Sequence, residues 1–207
     1  KFTHDHNGSY WHKKHDFLYL NKTARPHRVK LYDELLEAGV LENSIHTFIG
    51  KDVPKRLDNK YELPGIDPEH YPRFGKHQDI YELPYIDTVC SLVSETNDND
   101  YEVFMTEKIW KPIIAQHVFI VHGNYLYLQR LREIGFKTFS AYFDESYDLE
   151  KDKDKRIDKL VSLCKELKSQ CDDGSQVERG NKKWQETLTT NGFSKCKKIG
   201  KICICKQ

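Results

Sequence analysis

The chain lacks any run approaching the ~18 consecutive apolar residues of a membrane-spanning helix. With 38% apolar and 31% charged residues it is expected to be soluble and folded rather than disordered. It also lacks an excess of either charge. Lys+Arg number 33 against Asp+Glu 32, a net +1, so no long-range field draws it to nucleic acid, although a local basic groove stays open. Internal repeats and low-complexity tracts are absent. The chain opens on Lys1 with nothing apolar enough nearby for a signal h-region, so neither a leader nor a transmembrane segment is expected in it and the compartment is left open. Cys203 and Cys205 lack a second Cys or His pair at zinc-finger spacing, so no metal site is expected. Reduced thiols and a tail disulfide are both open for Cys90, Cys164, Cys171, Cys196, Cys203 and Cys205.

What is present is an alternation of short apolar runs with helical patterns, which predicts an α/β fold: a Rossmann-like parallel sheet flanked by helices. Residues 1–16, which hold His4, His6, His12 and His15, read as an N-terminal arm, residues 17–190 as the domain, and residues 191–207 as a basic, Cys-containing tail. Strands are expected at Phe17–Leu20, His46–Ile49, Thr88–Val93, Val118–Val121 and Lys137–Phe139. The first helix follows Pro26, turns Val29, Tyr32, Leu35 and Leu36 inward and stops near Gly39. Prolines punctuate 51–84, an irregular stretch of a length that is often functional. Ile157, Leu160, Val161, Cys164 and Leu167 mark Asp152–Gln170 as the clearest amphipathic helix, and a short helix is expected around Asn181–Leu188.

The densest signal is Tyr101–Asp148. A polar loop, Ser94-Glu95-Thr96-Asn97-Asp98-Asn99-Asp100, follows an apolar strand and leads to a helix opening on Thr106-Glu107-Lys108. Thr106 suits the N-cap because its hydroxyl can accept a backbone N–H, and Glu107 suits the positive end of the helix dipole. Arg25 and Arg28 sit where another strand-end loop becomes a helix, a place that suits either a diphosphate grip or an ordinary solvated helix start.

The order of strand, Glu/Asn-rich loop, Phe104-x-Thr106-Glu107-Lys108, helix, strand and glycine turn resembles the donor-binding half of family 10 glycosyltransferases, the α1,3-fucosyltransferases. Asn21–Leu35 is similar to that family's Arg-bearing loop, so the likeness covers roughly residues 17–148. It implies the C-terminal half of a GT-B glycosyltransferase, which moves a sugar from a nucleotide-diphosphate donor, by analogy a GDP-sugar, to a hydroxyl acceptor on a glycan or other molecule. It implies further that Glu107 holds the ribose, that Arg28 and Lys108 stabilise the leaving diphosphate, and that no metal or cofactor is needed. Ser94, Glu95, Asn97, Phe104, Thr106, Arg25 and Lys111 complete the candidate donor site. Phe104 is equally suited to stacking on a base or to the core. The family's acceptor-binding half, which supplies the general base, has no counterpart before Phe17. Two other readings stay open: a non-catalytic nucleotide-sugar-binding or interaction module, and an enzyme glycosylating nucleic-acid bases.

Overall fold

A computed structural model describes residues 14–48, 80, 82–99 and 102–172. The expected 181–188 helix, the basic tail, His4, His6, His12 and most of the proline-punctuated stretch lie outside the described residues.

The chain runs β1 (His15–Asn21), α1 (Pro26–Glu37), β2 (Ile45–Phe48), α2 (Glu82–Asp87), β3 (Thr88–Ser94), α3 (Glu107–Ile114), β4 (Val118–His122), α4 (Tyr127–Glu133), a 3-10 turn (Ser146–Leu149) and α5 (Lys153–Asp172). The four strands form one parallel sheet in the order β2-β1-β3-β4, with Leu18 paired to Ile45, Phe17 to Cys90, and Ser94 to His122. The expected α/β architecture is therefore present. β3 and β4 are buried along almost their whole length, which is why they read as unbroken apolar runs: a parallel strand covered on both faces has no solvent side to encode. β1 begins at His15, inside the stretch read as an arm, and its Asp16 is buried and held by Lys168 of α5 at 3.5 Å.

Strand order reverses at the middle of the sheet. From β1 the chain moves outward to β2, and from β3 it moves outward the other way to β4. Right-handed crossovers in opposite directions place α1 and α3 on opposite faces. The core agrees. Tyr19 faces Tyr32 of α1, with ring centroids 6.5 Å apart, whereas its neighbour Leu18 packs with Ile45, Tyr85 and Ala115 in a separate small cluster. The carboxyl ends of β1 and β3 thus flank the switch point, the crevice where open α/β sheets bind ligands.

Three expectations are corrected. Lys137–Phe139 is not a strand, because Glu145 draws it away from the sheet: the carboxylate accepts from Phe139 N at 2.6 Å and Thr138 Oγ1 at 2.7 Å. The buried face of α1 is Arg28, Leu31, Tyr32 and Leu35, and Leu36 is 50% exposed, because the helix turns Arg28 inward and so rotates its apolar stripe. α2 was not anticipated, since Pro84 lies within it. Helix stops fall where glycine permits a left-handed backbone, at Gly39 (φ 72°) and Gly135 (φ 97°). The face of α5 is as the periodicity predicts, with Ile157, Leu160, Val161, Cys164 and Leu167 all buried.

Candidate functional site at the switch point

All the candidate residues belong to the two connections that leave β1 and β3. Arg25 is the N-cap of α1 and Arg28 lies in its first turn, Ser94 ends β3, Glu95 to Thr106 form the β3–α3 loop, and Glu107, Lys108 and Lys111 open α3.

Glu95 is the centre of the arrangement. It is fully buried, and its carboxylate accepts from Thr106 N (3.0 Å), Thr106 Oγ1 (2.5 Å), Tyr127 Oη (2.6 Å) and Thr96 N (3.2 Å). Its backbone carbonyl accepts from Arg28 Nη2 (2.9 Å), Arg28 Nε (3.2 Å) and His27 Nε2 (3.1 Å), and its N–H donates to the His122 carbonyl at 2.9 Å. One residue thereby joins α1, β4, α3 and α4. Its side chain is engaged by the protein's own donors, so its geometry is that of a strut.

Thr106 caps α3, its Oγ1 accepting from Lys108 N at 3.3 Å. The Lys108 ammonium donates to Thr96 Oγ1 (3.1 Å) and Glu107 Oε1 (3.1 Å), with a longer bond to Thr106 Oγ1 (3.4 Å). Burial raises the Glu107 carboxyl, but the bonded Lys108 ammonium, with Lys111 adding to it, outweighs this and holds it below the ordinary range. The pair is reachable from solvent, with Glu107 39% and Lys108 23% exposed at the side chain. Ser94 is buried and hydrogen-bonded to the Tyr19 hydroxyl at 3.0 Å, Asn97 is half-buried, and Phe104 is exposed and outside the core.

The described parts of the loop are strapped down on both sides. Asn124 donates from Nδ2 to the Asn99 carbonyl and accepts from Phe104 N at 3.4 Å. Asp98 lies between His27 (3.6 Å) and Lys153 (3.5 Å). The run Asp98-Asn99-Asp100 has Asp-x-Asp spacing, a motif that the expectation of no metal treats as absent. Its first carboxylate faces the Lys153 ammonium and the His27 ring, and Asp100 lies outside the described residues. Among the described residues no group of three or more His, Cys, Asp or Glu could hold a metal ion.

The charge balance is uneven. Arg28 is 3% exposed and its remaining bond is to the Thr23 carbonyl at 3.3 Å. Burial pulls its pKa down, Arg25 adds to that, and Tyr19, Glu95 and Glu107 oppose it. Arg25 is exposed and makes no side-chain capping bond. Among the described residues neither arginine forms an ion pair: the Arg28 guanidinium is hydrogen-bonded to backbone carbonyls, and the Arg25 side chain is exposed. A hollow of about 280 Å³ lies beside the site, between Glu102–Val103 and the start of α4, and none of the candidate residues lines it.

Sequence reasoning missed His27, Tyr127 and His122. His27 stands next to Arg28 and could have been found from that position, whereas nothing local marks the other two. His122 is buried with Nδ1 unpartnered, its ring 5.6 Å from that of His27. Burial, reinforced by His27 and Arg156, pushes its imidazole down to about 3. An unfolded histidine titrates near ~6.5. Between those values the unfolded chain takes up a proton that the folded chain refuses, so stability is full above the unfolded value and falls as pH drops through the window. The depressed His27 and His46 act in the same direction. Urea midpoints should therefore be lower at pH 5 than at pH 7, and His122→Phe should narrow the gap; an unaltered gap would clear His122 of this role.

No protein-family model matches the chain, and no curated protein matches it. Among solved structures it is similar to one described as an alpha1,3-fucosyltransferase with GDP-fucose, with a TM-score of 0.36 and 14% identity over 73% of this chain. The match spans 36% of that protein. Likeness at that level does not identify a family. No helix among the described residues is long and apolar enough to cross a membrane.

Proposed function

We propose that this chain binds the donor of a glycosyl transfer, a nucleoside-diphosphate sugar, at the crevice between the starts of α1 and α3. The observation that carries this reading is the pair of arginines at the carboxyl end of β1, with no carboxylate partner among the described residues, and the Glu107–Lys108 pair at the carboxyl end of the adjacent strand β3. Fixed positive charge at a switch point suits a diphosphate, and an exposed carboxylate held ionised beside it suits the paired hydroxyls of a ribose. Phe104, exposed next to this turn, offers a face for the base.

In the proposed transfer the anomeric carbon–oxygen bond to the β-phosphate breaks and its electron pair stays on the diphosphate. The acceptor hydroxyl oxygen forms the new bond to the anomeric carbon, and its proton passes through a general base to solvent. Negative charge therefore grows on the phosphate oxygens, where the positive charges of Lys108 and the arginine pair stabilise the transition state more than the ground state, Lys108 and Arg28 being already held in place by hydrogen bonds. The strapped loop supports this role, since preorganised donors need no rearrangement as the charge develops.

A thermal-shift and calorimetric screen of nucleoside diphosphates and their sugars tests the reading. A donor at 100 times its Kd should stabilise the fold by about 2.7 kcal/mol, a rise in Tm of roughly 5–10 °C. Lys108→Ala should cost about 2 kcal/mol of that binding, a loss of roughly thirtyfold, because it removes a charge-assisted phosphate contact. A screen in which no nucleotide raises Tm would end the donor-site reading. Binding without sugar transfer or hydrolysis in the whole protein would turn it into a binding module.

A further inference from the structure

Resting on the donor-site reading above, we infer that the two arginines of the β1–α1 connection divide the work: Arg25 contacts the diphosphate, and Arg28 is a positioning residue that fixes the β3–α3 loop. The division follows from what each guanidinium touches. Arg28 turns inward from α1, is 3% exposed, and places Nε and Nη2 on the Glu95 carbonyl (3.2 and 2.9 Å) and Nη1 on the Thr23 carbonyl (3.3 Å). A guanidinium has five N–H groups. Three of them are taken: the Nε–Nη2 edge is filled by the Glu95 carbonyl and Nη1 donates to Thr23, and the two N–H groups left over belong to a side chain that is almost wholly buried. A side-on phosphate grip would require breaking the bonds from Arg28 to the Glu95 carbonyl.

Arg25 differs in each respect. Its backbone is extended (φ −79°, ψ 149°) and pinned, its N–H bonded to the Thr23 carbonyl at 2.9 Å and Pro26 following it in the first helical turn. The origin of its side chain is thereby set, while the side chain itself is exposed and, among the described residues, its fork of donors meets no acceptor. It belongs to the same site, since its charge acts on both Arg28 and His27. An open fork on a rigid stem is the geometry for bidentate phosphate recognition. The buried cation behind it, hydrogen-bonded to carbonyls, adds attraction without contact.

Titration of GDP and UDP into the full chain and into Arg25→Gln and Arg28→Lys tests the division, with melting temperature and amide hydrogen exchange measured alongside. Arg25→Gln should leave the melting temperature unchanged and weaken whichever nucleotide the parent binds by about tenfold or more, while the corresponding nucleoside, without phosphates, binds it as it binds the parent. Arg28→Lys should melt lower and speed exchange at residues 94–99, which a residue acting only on ligand would not do. Arg25→Gln binding the diphosphate as tightly as the parent overturns the assignment. So does Arg28→Lys with unaltered exchange at 94–99. If the parent binds neither nucleotide, the donor-site reading fails first and this division falls with it.

Discussion

Glu95→Gln is expected to lower the stability of the fold by about 3 kcal/mol, a fall in Tm of roughly 6–12 °C for a chain of this size. Both carboxylate oxygens of the parent accept from two donors each, and the residue is fully buried. Glutamine keeps one oxygen and replaces the other with an NH2 group. In either orientation that group would face a backbone N–H, of Thr96 on one side or Thr106 on the other, donor against donor, and the neighbouring hydroxyl would have to turn round to accept. No rotation of the amide satisfies both sides, and buried donors left without acceptors carry their full desolvation cost. The effect should reach beyond stability. Thr106 caps α3 and Lys108 bonds to Thr96 and Thr106, so the same substitution loosens the cation that is proposed to meet the diphosphate. Urea unfolding gives the first number and nucleotide titration below the variant's Tm the second. A loss under about 1 kcal/mol, the worth of a single ordinary hydrogen bond, would mean that the four bonds do not act together.

Gly123→Ala is expected to destabilise the fold by about 2–4 kcal/mol, combining overpacking with strain on a buried hydrogen bond. Its φ is not in the left-handed region, so the argument is one of space. A Cβ at this position would lie 2.6 Å from Tyr127 Cδ2 and 3.1 Å from Cε2 and Cγ. The ring cannot swing aside freely, because Tyr127 is 1% exposed and its hydroxyl donates to Glu95 at 2.6 Å. The methyl therefore forces a choice between a clash and the loss of that bond. A double-mutant cycle reads the coupling directly: in a Tyr127→Ala background the added methyl meets an empty space and should cost little. Additive losses would place the harm elsewhere.

The strands and most helices were legible in the sequence because their causes are local. Phe17–Leu20, Thr88–Val93 and Val118–Val121 are apolar runs of strand length, and a parallel sheet buried on both faces needs no more than that. α3 was legible from Thr106, whose capping hydroxyl does what its position suggests. What escaped was decided at a distance. Lys137–Phe139 has the β-branched and aromatic content of a strand, and only Glu145, folded back from the following loop, shows why it is none. The face of α1 was misjudged by one position because an arginine occupies an inward site that periodicity reserves for apolar residues. The loop after β3 looked like a row of ligand contacts, since polar residues in a strand-end loop read alike whether they point at a ligand or at the protein. For Glu95 the difference lies in Tyr127, Thr106 and Arg28, none of which adjoins it in sequence.

The pairing of β1 with β3 has a consequence for how the molecule assembles. The Tyr19–Ser94 bond at this seam joins positions 75 apart along the polymer, whereas β3 and β4 are bridged by one short helix and are close from the start. Bringing such remote partners together loses the most chain entropy before any contact rewards it. The seam is thus expected to zip last, after each flanking β-α-β unit has formed, so the crevice comes into being only when the whole sheet does.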